Sequence, residues 1–146
     1  MKKSQRLSSL LRIKEIEEQD LAKKLAELGG LLDAEKHQLQ DLQQYKVEYL
    51  SDLDSMVSQS ISVSTLVNRQ HFIVKLDQAV SNQQNRVDRV QQEWEKQMLE
   101  WGKKKNEISS WEDMVDSAKQ VEELAKEKIA QKEIEDLHSI RRSRST

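Results

Sequence analysis

The chain has 146 residues, 34% charged and 36% hydrophobic, with no proline, three glycines, no cysteine and a formal net charge of −2. With so near-neutral a balance, global charge says nothing about nucleic acid. The missing cysteines exclude a disulfide framework and thiolate chemistry, and no apolar run approaches the ~20 residues of a membrane span. A charged chain without helix breakers is either long helix or disorder, and hydrophobic periodicity decides between them.

The opening "MKKSQRLSSLLRI" is basic but has no long apolar stretch, so no signal peptide is expected and the default compartment is the cytoplasm. From Leu21 onward apolar residues step by four and three. One seam set is Leu25, Leu32, Leu39, Lys46 and Leu53 (position a); the other is Leu21, Leu28, Glu35, Leu42, Tyr49 and Met56 (position d). This is a coiled-coil repeat, and it predicts a first helix over 3–57. Toward the start Glu18 and Lys14 fall on the frame before Leu11 and Leu7 resume it, while Ile13 and Ile16 widen the stripe. Gly29 and Gly30 fall off the seam, at e and f, as tolerated surface glycines or a soft point.

The segment "SQSISVS", 58–64, is rich in serine and β-branched residues, which disfavour helix interiors and suit turns and caps. A bend is expected there, with Ser62 or Ser64 capping a second helix over 65–140. In that helix position a is Leu66, Ile73, Val80, Val87, Trp94, Trp101, Ile108 and Val115. Position d is more mixed: Arg69, Leu76, Gln83, Val90, Gln97, Lys104, Trp111 and Ala118. The expected fold is therefore all-α, a single elongated domain over 1–146 built as an antiparallel two-helix coiled coil.

With the bend at residue 61, facing residues have numbers summing to 122: Leu42 with Val80, Tyr49 with Ile73, Leu28 with Trp94, Leu11 with Trp111 and Glu18 with Lys104. The first helix then covers the second only to about residue 118. Helical pattern continues through Val121, Leu124, Ile129, Ile134, Leu137 and Ile140, roughly 30–35 Å of unpaired helix. Such an overhang is either frayed or a docking element. Lys2, Lys3, Arg6, Arg12 and Lys14 at the start and the 141–146 tail "RRSRST" add basic character: solvated terminal charge, or steering toward an acidic protein surface, anionic lipid or RNA, although "RRSR" alone is too short to claim nucleic acid.

Nothing in the chain points to catalysis. His37, His71 and His138 are scattered, "LGG" lacks the lysine of a phosphate loop, and the carboxylates alternate with lysines as solvated helix pairs. The expectation is no enzyme, no cofactor and no metal. The stretch "QQYKVEYL" is different. Tyr49 is at d and Tyr45 at g, and in an antiparallel pair g flanks g, which brings Phe72 beside them. Both tyrosines and the only phenylalanine thus converge on one edge, as a widened core or as a protein contact. The tryptophans at 94, 101 and 111 read as seam core.

The segments "LSSLLRIKEIEEQDLAKKLAEL", "HQLQDLQQYKVEYL", "NRQHFIVKLDQAV", "WEKQMLEWGKKK" and "WEDMV" resemble the flagellar FliJ family. The resemblance implies a soluble component of the flagellar type III export apparatus, similar to the central stalk of rotary ATPases. By that resemblance its terminal ends enter the hexameric export ATPase FliI and promote ring assembly; Leu7, Leu10, Leu11, Val121, Leu124, Ile129, Ile134 and Leu137 would be the contact residues. The contact with the export gate FlhA would correspond to Gln38, Leu42, Tyr45, Tyr49, Phe72, Leu76 and Ala79, with Gln83 where the family can carry a histidine. Export chaperones are further implied partners. The chain is expected to be a monomer when isolated, cytoplasmic, and peripheral at the inner face of the membrane through its partners, without nucleic acid. The competing readings are a general coiled-coil holdase and a structural homodimeric rod.

Overall fold

The computed structural model describes residues 2–145. It contains two helices that pack antiparallel as a hairpin, α1 (Lys3–Val57) and α2 (Val63–Ser145), with no strand among the described residues. The turn is made without glycine. Ser60 takes the left-handed conformation, φ 65°, that glycine usually supplies after a helix end. Ser58 N–H donates to Asp54 O and Ser60 N–H to Val57 O, and the Ser58 hydroxyl donates to Ser55 O at 2.7 Å, so serines close the last turn of α1. Of the two candidate caps, Ser62 is used. Its Oγ accepts the Thr65 N–H at 3.3 Å, satisfying an orphan donor of the first turn of α2.

The hairpin divides into two compact units, one formed by Leu21–Trp101 and the other by the residues up to Asp20 with those from Gly102. In the first, the bend unit, Leu32, Leu39 and Val87 are buried and Val80, Val90 and Trp94 pack against them. Leu53, Leu76 and Gln83 are buried as well. Tyr49 stacks near Phe72, Lys46 pairs with Asp77, and Gly29 faces Trp94. These partners have numbers summing to 121–123, bracketing the register expected from the heptads.

The second, terminal unit buries Ile108, Val115 and Ala118 from α2. Its cross-helix ion pairs, Glu17 with Lys104, Lys14 with Glu107 and Glu18 with Lys105, fall in the same 121–123 band. The expected meeting of Glu18 with Lys104 is thereby redistributed. Lys104 Nζ reaches Glu17 at 2.8 Å and Glu107 at 3.4 Å, while Glu18 lies 3.5 Å from Lys105. A lysine at d keeps its stem in the seam and carries its head outward, where off-seam carboxylates await it. Beyond Glu122, α2 continues as helix to Ser145 with every described residue exposed.

Gly29 departs from a plain surface reading. It is half-buried, and a Cβ placed on it would stand 3.6 Å from Trp94 Nε1, an ordinary contact, whereas one on Gly30 would meet nothing within 4 Å. The glycine pair therefore leaves a thin place beside the indole rather than a clash that only glycine could avoid.

Candidate docking surfaces

In the bend unit, heptad positions d and g of α1 and g of α2 assemble an aromatic triad. Tyr49 and Phe72 have ring centroids 4.8 Å apart, Tyr45 lies 6.4 Å from each, and the Tyr45–Phe72 pair is edge-to-face at 84°. Such tilted and T-shaped arrangements suit the ring quadrupoles and hold the three side chains as a unit. Tyr45 keeps 48% and Phe72 38% of its surface exposed. Leu42, Tyr49 and Ala79 are half-buried behind them, Gln38 is exposed, and Leu76 is buried. Leu76, at 6% exposure, is thus covered within the hairpin and not open at its edge.

Gln83 does not share this edge. It is buried at 4% exposure, and its amide donates to Glu35 O at 3.0 Å and to the Glu35 carboxylate, so it turns to Glu35 and not toward exposed Gln38. Arg69, which in the sequence is only an irregular seam residue, belongs to the site. Its guanidinium sits 5.8 Å from the centroid of the Tyr49 ring, within cation–π range. Tyr49, Phe72, Arg69, Thr65 and Asn68 line a cleft of about 400 Å³ beside the triad. The sequence signal for Arg69 was its place at d, four residues from the facing partner of Tyr49.

The terminal unit carries a different surface. Ser4 is buried, and Glu122 caps α1 from the other helix: its carboxylate accepts the Ser4 N–H at 3.1 Å and the Ser4 hydroxyl at 2.7 Å. These bonds hold the Glu122 carboxyl below the usual carboxylate range. The Lys104 hydrogen bond does the same for Glu17, and the Lys14 bond for Glu107, while Glu17 raises Lys104. Next to the cap, Lys3, Leu7, Met114, Ser117, Ala118, Val121 and Glu122 line an apolar cleft of about 200 Å³. Leu7 and Leu11 are half-buried in the seam, whereas Leu10 is 46% exposed. Val121, Leu124, Ile129, Ile134 and Leu137 are all more than half exposed. The structure brings Leu7 and Val121 to one cleft and leaves Ile129, Ile134 and Leu137 open along α2.

Among the described residues no group of three or more His, Cys, Asp or Glu side chains could hold a metal, and no helix is long and apolar enough to cross a membrane. Residues 2–146 match the family described as flagellar FliJ protein. The chain belongs to the FliJ family. It is 25% identical over 130 residues to the flagellar FliJ protein of Escherichia coli (strain K12) and, to the same extent, to that of Salmonella typhi, covering 89% of this chain and 88% of each relative. No solved structure matches. Membership makes this coiled-coil hairpin a component of flagellar protein export.

Proposed function

We propose that this FliJ-family chain is a non-enzymatic stalk and adaptor of flagellar export, which joins the hexameric ATPase FliI to the gate protein FlhA and to export chaperones. The observation that carries the reading is the aromatic triad on one edge of the hairpin, with Tyr45 and Phe72 exposed and Tyr49 half-buried between the helices. Large rigid rings held half-open are characteristic anchors of protein interfaces. In this reading Gln38, Leu42, Tyr45, Tyr49, Phe72 and Ala79 face the gate, with Leu76 as their support. Leu7, Leu10, Leu11, Val121, Leu124, Ile129, Ile134 and Leu137 serve the ATPase ring. The exposed apolar side chains of α2 after Glu122 favour this division, since they lack a partner within the described residues. The isolated chain is a monomer in the cytoplasm and reaches the membrane only through its partners.

Adding the chain to the cognate hexameric ATPase should raise hydrolysis and ring formation. Phe72→Ala should weaken binding to purified gate protein by about tenfold or more, the effect of a lost aromatic anchor, and leave ATPase stimulation intact. No complex with the ATPase and no effect on hydrolysis would overturn the stalk, and suppression of aggregation of unrelated proteins would favour a holdase. A tight homodimer in sedimentation would favour a structural rod.

A further inference from the structure

We propose that Arg69 makes the aromatic edge selective for acid: the cleft beside Tyr49 and Phe72 takes a peptide segment of the partner that carries a carboxylate next to an apolar side chain. This rests on the docking role proposed above for the triad and names the chemistry that it recognises. Arg69 occupies a seam position, d, where an apolar residue would stabilise the coiled coil more. Lys46, the other seam cation near the triad, is paired with Asp77. Arg69 makes no ion pair among the described residues, and Asp52, the next g residue after Tyr45 on this edge, does not take it up. Its guanidinium instead lies 5.8 Å from the centroid of the Tyr49 ring, a contact that engages the face of the cation and not its N–H donors, which stay available to an acceptor.

The rest of the cleft fits that acceptor. Thr65 and Asn68, both exposed, add hydrogen-bonding groups, Tyr49 and Phe72 add apolar wall, and no carboxylate is among the lining residues. A planar guanidinium meets a carboxylate with two parallel hydrogen bonds, and partial burial beside aromatic rings strengthens them. A nucleic acid fits less well. The rings already turn faces and edges toward one another, so they offer no free stacking platform, and the only cation lining the cleft is Arg69.

The test compares the full-length chain with Arg69→Gln, Arg69→Lys and Phe72→Ala, each checked for native helix content, in binding to purified gate protein across a salt series. Arg69→Gln should weaken binding by about tenfold, the value of a hydrogen bond to a charged group, and should flatten the salt dependence. Arg69→Lys should retain the salt dependence with only part of the affinity. Phe72→Ala should weaken binding without changing the salt slope. If Phe72→Ala weakens binding while Arg69→Gln leaves affinity and salt slope unchanged, the acid selectivity is overturned and the docking edge stands. If neither variant affects binding, both fall. Loss of affinity in Arg69→Gln with an unchanged salt slope would assign Arg69 to support of Tyr49 and overturn the proposal. So would tighter binding of a short single-stranded RNA than of the gate protein.

Discussion

Gln83 and Glu35 form a polar layer inside the apolar seam of the bend unit, and Gln83→Ala measures what it contributes. Gln83 is 4% exposed, and its amide bonds both the backbone carbonyl and the carboxylate of Glu35. A hydrogen bond to a charged group contributes about 1.5–3 kcal/mol. The one methylene lost with the amide adds about 0.8 kcal/mol. Glu35 is only half-buried and can turn to water once deserted, which returns part of the loss. The net destabilisation should be about 2–3 kcal/mol, a large share of the ~5–15 kcal/mol typical of a domain. The paired change Glu35→Leu with Gln83→Leu should do the opposite and stabilise by about 1–3 kcal/mol, because well-packed apolar residues generally outdo a buried polar pair. What the pair supplies is register, since a heptad slip would strand both groups. Urea unfolding followed by circular dichroism gives the stabilities. Register is read by oxidising Leu28→Cys with Trp94→Cys, unambiguous in a chain without native cysteine. The cross-link should form in the parent background and in lower yield in the double-leucine background. If Gln83→Ala changes stability by less than ~0.5 kcal/mol, or the double-leucine chain cross-links as efficiently as its parent, the layer does not fix the register.

Gly30→Ala should raise stability by about 1 kcal/mol, because its Cβ meets nothing within 4 Å and alanine is the better helix former; a higher urea midpoint checks it. If the glycine pair is a hinge that export needs, the same variant will be more stable and yet export less. Acid should loosen the terminal unit first. The lowered carboxyls of Glu17, Glu107 and Glu122 stabilise the fold above their ordinary range near pH ~4.3, and that contribution is lost as pH falls through and below it. Lys104, raised by Glu17, acts in the other direction: its share is complete below the ordinary lysine range and lost only as pH rises above it. Hydrogen-exchange protection at Leu11 and Ile108 should therefore fall between pH 5 and 3 before that at Leu39 and Val87 (about one unit either side of ordinary carboxylates). Equal loss in both places would contradict the assignment.

Most of the scaffold was legible in the residue pattern because a coiled coil writes its contacts at fixed intervals. Leu32, Leu39, Leu53, Leu76, Val87, Ile108 and Val115 lie on the heptad frame and are buried. The facing of Tyr49 and Phe72 also follows from the register, as both rings sit a fixed number of turns from the bend. What escaped depends on side-chain direction rather than position. Glu122 falls at an a position, where a carboxylate reads as a flaw, yet it reaches the first turn of α1 and caps Ser4. Serine-rich turns give no fixed dihedral signal, so the left-handed Ser60 could not be distinguished from its neighbours. Gly29 sat off the frame in the count, but Trp94 is large enough to lean over it.

These misses share one cause. In a two-helix seam no side chain among the buried core residues is wholly enclosed; even Val87 keeps 5% of its surface. A polar group on the frame can therefore satisfy itself by reaching sideways or outward, which a larger core would forbid. Lys46, Gln83, Lys104 and Glu122 do so within the chain. Arg69 holds a frame position in the same way but ends on a ring instead of a carboxylate. If thin seams let polar residues find partners this readily, a seam cation left without an anion is the exception that needs another molecule to account for it. That is why Arg69, and not the more exposed charges of the helical faces, marks the edge at which a partner's acid should sit.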